Sequence, residues 1–431
     1  MKEIFIIYLW ENRLLCSELR TTDGKTIEVL HCGTLNHNAG PDFLNARIRI
    51  NEMVWAGNVE MHVNASDWYK HGHNADKSYD TVVLHVVYES DKDTFTTQGK
   101  PIPTLSLKGC FDESLLLRYR DFLDSKQWIA CQNSVGAIQR FTWLSWLDRL
   151  IVERLENKVA EVLQLFEKTG NDWEETFYRR LTSGFGFKVN DMAFAQLAQK
   201  LPFNLLLRHA DNLLQLEALL FGMAGMLSGS FIDAYPQQLQ REFNFLKQKY
   251  GLTPMNIEQW RWMRMRPANF PSLRLSQLAA LIHQNQRMFS SFLEVPSVEN
   301  ILPKLQVFAS PYWDTHFQFD KLSEGSRKNL GKDAIHLLII NVIVQVFFTY
   351  GVFHNNETIK DRAFMLLESM DAENNHIIQQ FEKLGVVAND ALQSQALLQL
   401  KKEYCDPKRC LECRIGQLLI KSDAVRAKDS F

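Results

Sequence analysis

Two carboxylates and a histidine are the side chains of this sequence best suited to do chemistry together. Asp42 precedes a stretch of alternating apolar and polar residues, and Glu60 and His62 end a second such stretch. Residues two positions apart in a strand point to the same face, so Glu60 and His62 should lie side by side. If the two stretches pair as a hairpin, Asp42 and Glu60 could share Mg²⁺ or Mn²⁺. His62 could then orient or deprotonate a water molecule.

The register of the two strands decides whether these side chains meet. A two-residue turn at residues 51–52 would set Asp42 opposite Met61, next to Glu60 in the chain. In that register the Asp42 side chain would point to the opposite face of the sheet from Glu60 and His62. A bulge at Gly57 would shift the parity by one residue and bring the two carboxylates together.

Histidine is concentrated near the start of the chain, where it adds candidate ligands. His71 and His73 flank Gly72 in a loop and could contact a substrate or a metal. His85 lies inside a continuous apolar run, which predicts a buried, hydrogen-bonded strand residue. The histidines of the first 85 residues are His31, His37, His62, His71, His73 and His85.

The elements that must position these residues form a small mixed α/β domain. Densely spaced apolar residues predict a short buried helix at residues 3–13, and period-two alternation predicts strands after it. The order is helix, three strands, helical turn and strand, which predicts one mixed sheet. The strands are expected at residues 25–32, 43–50, 53–63 and 81–89, with a last short strand at 101–108.

From residue 142 the apolar period changes to 3.6, which predicts a large all-helical domain. The fold class is therefore α+β, with domains at residues 1–135 and 136–431. No strand longer than four residues is expected after residue 140. Helices are predicted at residues 142–166, 173–182, 190–200, 213–226, 237–250, 275–289, 333–350, 357–367, 376–384 and 390–404.

The composition is that of an ordinary soluble protein. The 431 residues carry a formal net charge of -2, so nucleic-acid binding would need a local basic patch. The first residues lack the pattern of a signal peptide, and we expect a cytoplasmic protein. Residues 334–353 are long enough to span a membrane, but polar residues interrupt them. A buried helix is the favoured interpretation, with no membrane association.

Three cysteines near the C terminus have the spacing of metal ligands. Cys405, Cys410 and Cys413 form a C-x4-C-x2-C group, and both Zn²⁺ and iron–sulfur centres need a fourth ligand. Cys131 is the predicted fourth ligand because it stands at the junction between the domains. We expect the four sulfurs to lie within about 4 Å of one another, as around one tetrahedral ion.

A basic and aromatic segment could contact nucleic acid. Arg261, Arg264 and Arg266 alternate with Trp260 and Trp262, which offers guanidinium groups for phosphates and indoles for base stacking. The same arginines could instead cover a helical core and pair with acids. Both interpretations remain open.

The Pro-Asp step that ends at Asp42, followed by Glu60-x-His62, resembles the PD-(D/E)xK nuclease superfamily. The resemblance implies that Asp42 and Glu60 hold Mg²⁺ or Mn²⁺, that His62 replaces the usual lysine, and that His71 or His73 contacts the scissile phosphate. The implied activity is hydrolysis of phosphodiester bonds in DNA or RNA. Histidine does not keep its charge at neutral pH as lysine does. The alternative is therefore an inactive nuclease-like scaffold that binds nucleic acid or protein.

Several separated motifs resemble an uncharacterised bacterial family, domain-of-unknown-function family 2851. They lie at residues 40–43, 57–62, 67–73, 84–87 and 264–271 and in the terminal cysteine group. This resemblance covers nearly the whole chain and implies no assigned activity. Some PD-(D/E)xK nucleases hold a [4Fe-4S] cluster with one cysteine distant from the other three. The cysteine group is similar in that respect.

Overall fold

A computed structural model of the protein describes residues 1–295 and 297–422 and divides into two compact units. Of the described residues, the first unit comprises Met1–Trp146 together with residues 400–422, and the second comprises the described part of Leu147–Gln399. The sequence analysis instead placed a boundary near residue 135 and a second domain that runs to the C terminus. The C-terminal cysteines thus belong to the unit that contains the sheet. Residues 423–431 of the expected second domain lie outside the described residues.

One mixed sheet organises the first unit, with the strand order β1-β2-β4-β5-β6-β7 and β3 beside β4. The four main strands predicted from the sequence are all present in it. The strands are β1 (Leu19–Arg20), β2 (Thr26–His31), β3 (Thr34–Leu35), β4 (Phe43–Ile50), β5 (Met53–Asn64), β6 (Val82–Glu89) and β7 (Thr104–Ser106). The strands from β1 to β5 pair antiparallel, whereas β5, β6 and β7 pair parallel.

The hairpin of β4 and β5 has the expected two-residue turn, since Ile50 pairs with Met53. Toward the start of β4, the register shifts between Phe43 and Ala46, and Asn45 has a φ of 58°. Asparagine adopts this left-handed conformation more readily than most residues do. An extra residue is therefore accommodated in β4 as a bulge.

This bulge changes which residues face each other at the entrance of β4. Phe43 pairs with Val59, so the preceding residue, Asp42, lies beside Glu60. The sequence analysis had expected Asp42 opposite Met61, with a bulge in the partner strand as the remedy. The pairing does shift by one residue, but the extra residue lies in β4 and not in β5.

Gly57 has a different function, which is to let two strands approach. A Cβ atom at Gly57 would lie 2.4 Å from Val83 Cγ1 and 2.7 Å from the Thr81 carbonyl oxygen. Only glycine fits at such a distance. Beyond this point β5 runs parallel to β6, and Glu60 pairs with His85.

The helices of the described residues are numbered in chain order. They are α1 (Glu3–Glu11), α2 (Asp67–Lys70), α3 (Glu113–Asp124), α4 (Arg140–Lys168), α5 (Trp173–Phe185), α6 (Asp191–Lys200), α7 (Phe203–Leu207), α8 (Leu213–Met223), α9 (Ala234–Tyr250), α10 (Pro271–Gln284), α11 (Met288–Leu293), α12 (Val298–Leu305), α13 (Lys332–Leu338), α14 (Val344–Phe353), α15 (Glu357–Glu368), α16 (His376–Lys383), α17 (Ala391–Leu400) and α18 (Arg414–Lys421). Two π-helical turns, Ile339–Ile343 and Lys401–Cys405, continue α13 and α17.

In the first unit, α1 packs against β5 and β6, as its apolar residues predicted. Phe5, Ile6 and Leu9 are fully buried. Burial of side chains of this size contributes roughly 1.5–3 kcal/mol each. The helix therefore fixes its first residue, Glu3, relative to the middle strands of the sheet.

The second unit is helical, as predicted, and its described residues contain only two short strands, β8 (His316–Gln318) and β9 (Lys321–Leu322). The helix expected at residues 275–289 is displaced. It begins at Pro271, because proline suits the first turn of a helix, and it ends at Gln284. One helical stretch, Lys332–Phe353, is long and apolar enough to cross a membrane, and 72% of its most apolar window is buried. That burial agrees with the core helix that the sequence predicted.

Candidate functional site

The candidate site lies where β5 passes between the entrance of β4 and the loop after α2. Glu60 and His62 project from β5 and are almost fully buried, with exposed fractions of 5% and 1%. The loop supplies His71, which is exposed, and His73, which is buried. The site residues predicted from the sequence, Asp42, Glu60, His62, His71 and His73, are therefore brought together.

Backbone hydrogen bonds hold the two carboxyl groups next to each other. The amide N–H of Asp42 donates to Glu60 Oε2 at 3.1 Å. In return, Asp42 Oδ2 accepts the amide N–H of Met61 at 3.0 Å. This reciprocal pair is possible because the bulge sets Asp42 beside Glu60.

Three imidazoles converge next to Glu60. His62 Nε2 lies 3.0 Å from His71 Nδ1 and 3.7 Å from Glu60 Oε1, and His73 Nε2 lies 3.2 Å from the same oxygen. One ring nitrogen from each of the three histidines lies within 4.8 Å of the other two. Three nitrogens and one carboxylate oxygen at these separations could surround a single metal ion with bonds of about 2.0–2.2 Å.

A further histidine orients His62. His62 Nδ1 lies 2.8 Å from His85 Nε2, and His85 Nδ1 lies 3.3 Å from Thr94 Oγ1. For His62 Nε2 to bind a metal, its Nδ1 must carry the proton and donate it to His85. His85 must then donate from Nδ1 to the threonine. Such an outer hydrogen bond fixes the tautomer of a metal-binding histidine.

Burial makes the carboxyl groups costly to ionise in the absence of a cation. Burial, together with the charge of Asp42, raises the pKa of Glu60 to about 9. Burial likewise raises the pKa of Asp42 to about 6, although the hydrogen bond from Met61 opposes this shift. Glu60 is therefore protonated at neutral pH. A bound cation would remove the main cost of its ionisation.

The buried histidines are neutral, which is the form that binds metals. Burial and the neighbouring histidines together lower the pKa of His62 to about 3 and the pKa of His73 to about 4. The contact of His73 with Glu60 has the distance of an ion pair, yet both shifts favour the neutral forms. We therefore describe it as a hydrogen bond from the Glu60 carboxylic acid to His73 Nε2.

Two residues that the sequence analysis did not assign to the site contribute to it. Glu3, at the start of α1, is close enough that its charge helps to raise the pKa of Asp42; burial raises the pKa of Glu3 itself, and His71 opposes that rise. Tyr79 stacks on His73 with ring centroids 3.7 Å apart. Neither position carries a local sequence signal. His85 was correctly predicted to be buried, but its contact with His62 required the parallel pairing of β5 and β6.

The donor set indicates which metals fit. Imidazole nitrogens suit Zn²⁺ and Fe²⁺, and a carboxylate such as Glu60 suits Mn²⁺, whereas Mg²⁺ requires oxygen ligands and keeps most of its water. With three histidines beside Glu60, the residues fit a transition metal better than the Mg²⁺ expected from the carboxylates alone. This preference for a transition metal rests on the three histidine ring nitrogens that converge beside Glu60.

The four cysteines predicted as ligands are located in the first unit. Cys410 and Cys413 are buried, and Cys131 and Cys405 are half-buried. Burial, together with the nearby Cys413 and Cys410, raises the pKa of Cys131 to about 12. The sulfurs are less compact than expected. In the described part of the chain, the histidine group is the one whose ligand atoms all lie within 4.8 Å.

The basic segment belongs to the second unit and separates into buried and exposed residues. Trp260 is buried, and its indole N–H donates to the Ala224 carbonyl at 2.8 Å. Arg261, Arg264 and Arg266 are exposed. Trp260 is thus a core residue, and the arginines remain candidates for contacting phosphates.

Comparisons with curated proteins and with solved structures found no match. A family model matches residues 3–376, a range that includes the whole candidate site but ends before the terminal cysteine group. That model describes a protein of unknown function, DUF2851, and because the match covers most of the chain, the protein belongs to this family.

Proposed function

We propose that the chain is a metal-dependent hydrolase of phosphodiester bonds in DNA or RNA. The observation that carries this proposal is the convergence of His62, His71 and His73 on Glu60, with Asp42 beside them. In this proposal Mn²⁺ or Zn²⁺ binds the three histidines and Glu60. The metal would polarise the phosphate and acidify a bound water.

The chain's own residues have distinct roles in this proposal. Glu60 loses its proton when the site fills, and its Oε2 keeps the hydrogen bond from the Asp42 amide. His62 acts as a ligand rather than as the base expected from its position in the motif, because its Nε2 faces His71 and Glu60. His85 holds His62 in the tautomer that leaves Nε2 unprotonated.

Asp42 is the proposed general base. Its pKa of about 6 leaves most of the carboxyl group ionised at neutral pH, and a pKa near the working pH suits proton transfer. Met61 holds one of its oxygens, Oδ2, by a backbone hydrogen bond. The attacking water would give its proton to the other oxygen, Oδ1. Tyr79 holds the ring of His73 by stacking.

The order of the elements supports a phosphodiester as the substrate. In the first unit, α1 precedes an antiparallel hairpin, and the second hairpin strand, β5, pairs parallel with β6. This is the element order of the PD-(D/E)xK nucleases, which the sequence motif resembles. The site also carries more acidic than basic groups, so a phosphate would bind only after a metal does.

The test is cleavage of labelled single- and double-stranded DNA and RNA by the pure protein with Mn²⁺ or Zn²⁺. Glu60→Gln should abolish cleavage, because the amide cannot supply the anionic ligand. Glu52→Gln, in the exposed turn of the same hairpin, is the matched control and should cleave normally. Metal binding without any cleavage would instead support the non-catalytic scaffold. Equal cleavage by all three proteins would indicate a contaminating nuclease.

His71→Asn and His37→Asn provide a second matched pair. Both histidines are exposed, but only His71 lies within reach of the other ring nitrogens. His71→Asn should weaken Mn²⁺ binding at least tenfold, since one of four ligands is lost. His37→Asn should leave it unchanged. A similar affinity in both variants would remove His71 from the ligand set.

A further inference from the structure

We propose that Cys131, Cys405, Cys410 and Cys413 hold a [4Fe-4S] cluster that ties the C-terminal segment to the chain around Cys131 within the first unit. This centre is separate from the histidine site and does not depend on the proposed hydrolysis. The contacts that support it are those of the residues packed around the four cysteines.

The C-terminal segment lies against the residues around Cys131. Lys408 Nζ donates to the carbonyl oxygens of Leu123 and Ser125, the latter at 2.8 Å. Lys401 Nζ lies 5.1 Å from the centre of the Trp128 ring. The chain just before Cys131 is therefore in contact with one residue that precedes the C-x4-C-x2-C group and with one residue inside it.

Cys413 is surrounded by N–H donors. It directly precedes α18; burial raises the pKa of its thiol, and the nearby backbone N–H groups of Gly416 and Ile415 oppose that rise. The indole nitrogen of Trp146 is buried and has no hydrogen-bond partner in the described part of the chain, and Trp146 also opposes the rise in the pKa of Cys413. N–H donors around a thiolate stabilise its charge and tune the potential of an iron–sulfur cluster.

Gly416 allows the start of α18 to approach the backbone of Cys410 closely. A Cβ atom at Gly416 would lie 2.2 Å from the Cys410 carbonyl oxygen, so no larger residue fits without moving the backbone. The first turn of α18 therefore packs directly on the backbone of a second predicted ligand. Together, Cys410 and Cys413 are held by the same turn.

The spacing of the sulfurs favours a cluster over a single ion. Thiolates about 2.3 Å from one tetrahedral Zn²⁺ lie about 4 Å apart. Among the described residues, no three of these cysteine sulfurs all lie within 4.8 Å of one another. Four thiolates on the separate iron corners of a [4Fe-4S] cluster are farther apart, which matches neighbouring but uncrowded thiols.

Loading is a ligand exchange that needs no electron from the chain. Each thiol releases its proton to water, and its sulfur bonds one iron of a preassembled cluster and displaces a ligand of the donor. The cost of burying four thiolates is offset by the charge of the iron atoms, as in other metal–thiolate sites. The loaded centre would fix α18, whose last residues already contact the unit. Arg118 Nε donates to the Ile420 carbonyl at 2.6 Å, and Lys421 Nζ donates to Asn12 Oδ1 at 3.0 Å.

The test is the composition of the full-length protein purified without oxygen. We expect brown protein with about four iron atoms and four acid-labile sulfides per chain. Cys131→Ser and Cys413→Ser should lose most of both, whereas the control Cys32→Ser, outside the group, should keep them. Circular dichroism of each variant distinguishes loss of the cluster from loss of the fold.

The wild-type composition decides the question even if one variant does not fold. One zinc and no sulfide per chain, or four free thiols and no metal, would overturn the proposal. A full cluster in Cys131→Ser would also overturn it as stated, because the distant fourth ligand would then be another group. Loss of the cluster in Cys131→Ser with an unchanged circular dichroism spectrum is the result that supports it.

Discussion

Asp42 and Glu60 position one another through the backbone. The Asp42 amide donates to Glu60 Oε2 at 3.1 Å, and the residue after Glu60 donates its amide to Asp42 Oδ2 at 3.0 Å. The half-buried carboxyl group of Asp42 and the buried one of Glu60 therefore lie together although the charge of Asp42 opposes the ionisation of Glu60. A cation bound beside them would reverse this opposition, since it interacts favourably with both. The predictions about pH follow from this relationship.

Metal affinity should rise with pH until Glu60 is ionised. Glu60 has a pKa of about 9 without metal, so at lower pH each ion that binds must displace its proton. Between pH 6.5 and 9 the affinity for Mn²⁺ should increase about tenfold per pH unit. Calorimetry in buffers of different ionisation enthalpy measures the proton released. Glu60→Gln should show little of this dependence, and a pH-independent affinity in the wild type would contradict the assignment.

Without metal, the free energy of unfolding should decrease as pH rises, whereas metal affinity increases. The folded pKa of Glu60 lies above its ordinary value of 4.5, so its stabilising contribution is complete below pH 4.5 and is lost as pH rises toward 9. Over the upper part of this window the slope is about 1.4 kcal/mol per pH unit. His62 and His73 act at lower pH, because their pKa values are depressed from 6.5.

The variant Glu60→Gln isolates this effect, because its amide cannot ionise. Without metal it should become more stable than the wild type as pH rises from 6.5 to 9, whereas with saturating Mn²⁺ it should be less stable. Native-state hydrogen exchange of β5 measures the first unit alone. If the variant were less stable than the wild type at every pH without metal, the raised pKa of Glu60 would be wrong.

The sequence was sufficient for the main strands and for placing Glu60 and His62 side by side on one of them, because alternation and turn signals are local. It was insufficient for the register, since the bulge at Asn45 depends on a backbone conformation that alternation does not encode. It also missed Glu3, which reaches the site only because α1 packs on the sheet. The return of the chain to the first unit after Leu400 is likewise a tertiary effect.

The exposed arginines of the second unit should contribute to nucleic-acid binding without affecting the metal site. Replacing Arg261, Arg264 and Arg266 by glutamine should weaken binding to single-stranded DNA. If each arginine contacts one phosphate, the slope of log affinity against log salt should fall by about 2.

The matched control for the arginine variant removes three exposed positive charges elsewhere in the same unit. It carries Arg208→Gln, Arg241→Gln and Lys247→Gln. Fluorescence anisotropy at several salt concentrations compares the two triple variants, and Mn²⁺ affinity should be equal in both. The same salt slope for both would show that net charge matters and that residues 261–266 have no special role.

The metal site should require the bulge in β4, although the bulge residue, Asn45, is not itself part of the site. Asn45 is exposed and has a φ of 58°, which β-branched residues adopt only with strain. Asn45→Val should therefore cost about 1–2 kcal/mol or remove the bulge. Without the bulge, the Asp42 side chain would point to the opposite face of the sheet from Glu60, and the hydrogen bond between the Asp42 amide and Glu60 would be lost. Asn45→Gly should preserve both, because glycine adopts this conformation freely.

Mn²⁺ affinity and cleavage separate the two variants more clearly than stability does. Asn45→Val should lose cleavage and bind Mn²⁺ more weakly, because Asp42 no longer lies beside Glu60 while the histidines stay in place. Asn45→Gly should behave as the wild type in both assays. Arg47→Val, at an exposed position of the same strand after the bulge, controls for the added β-branched residue. Normal cleavage by Asn45→Val would show that Asp42 does not need the shifted register to act, and its role as general base would have to be abandoned.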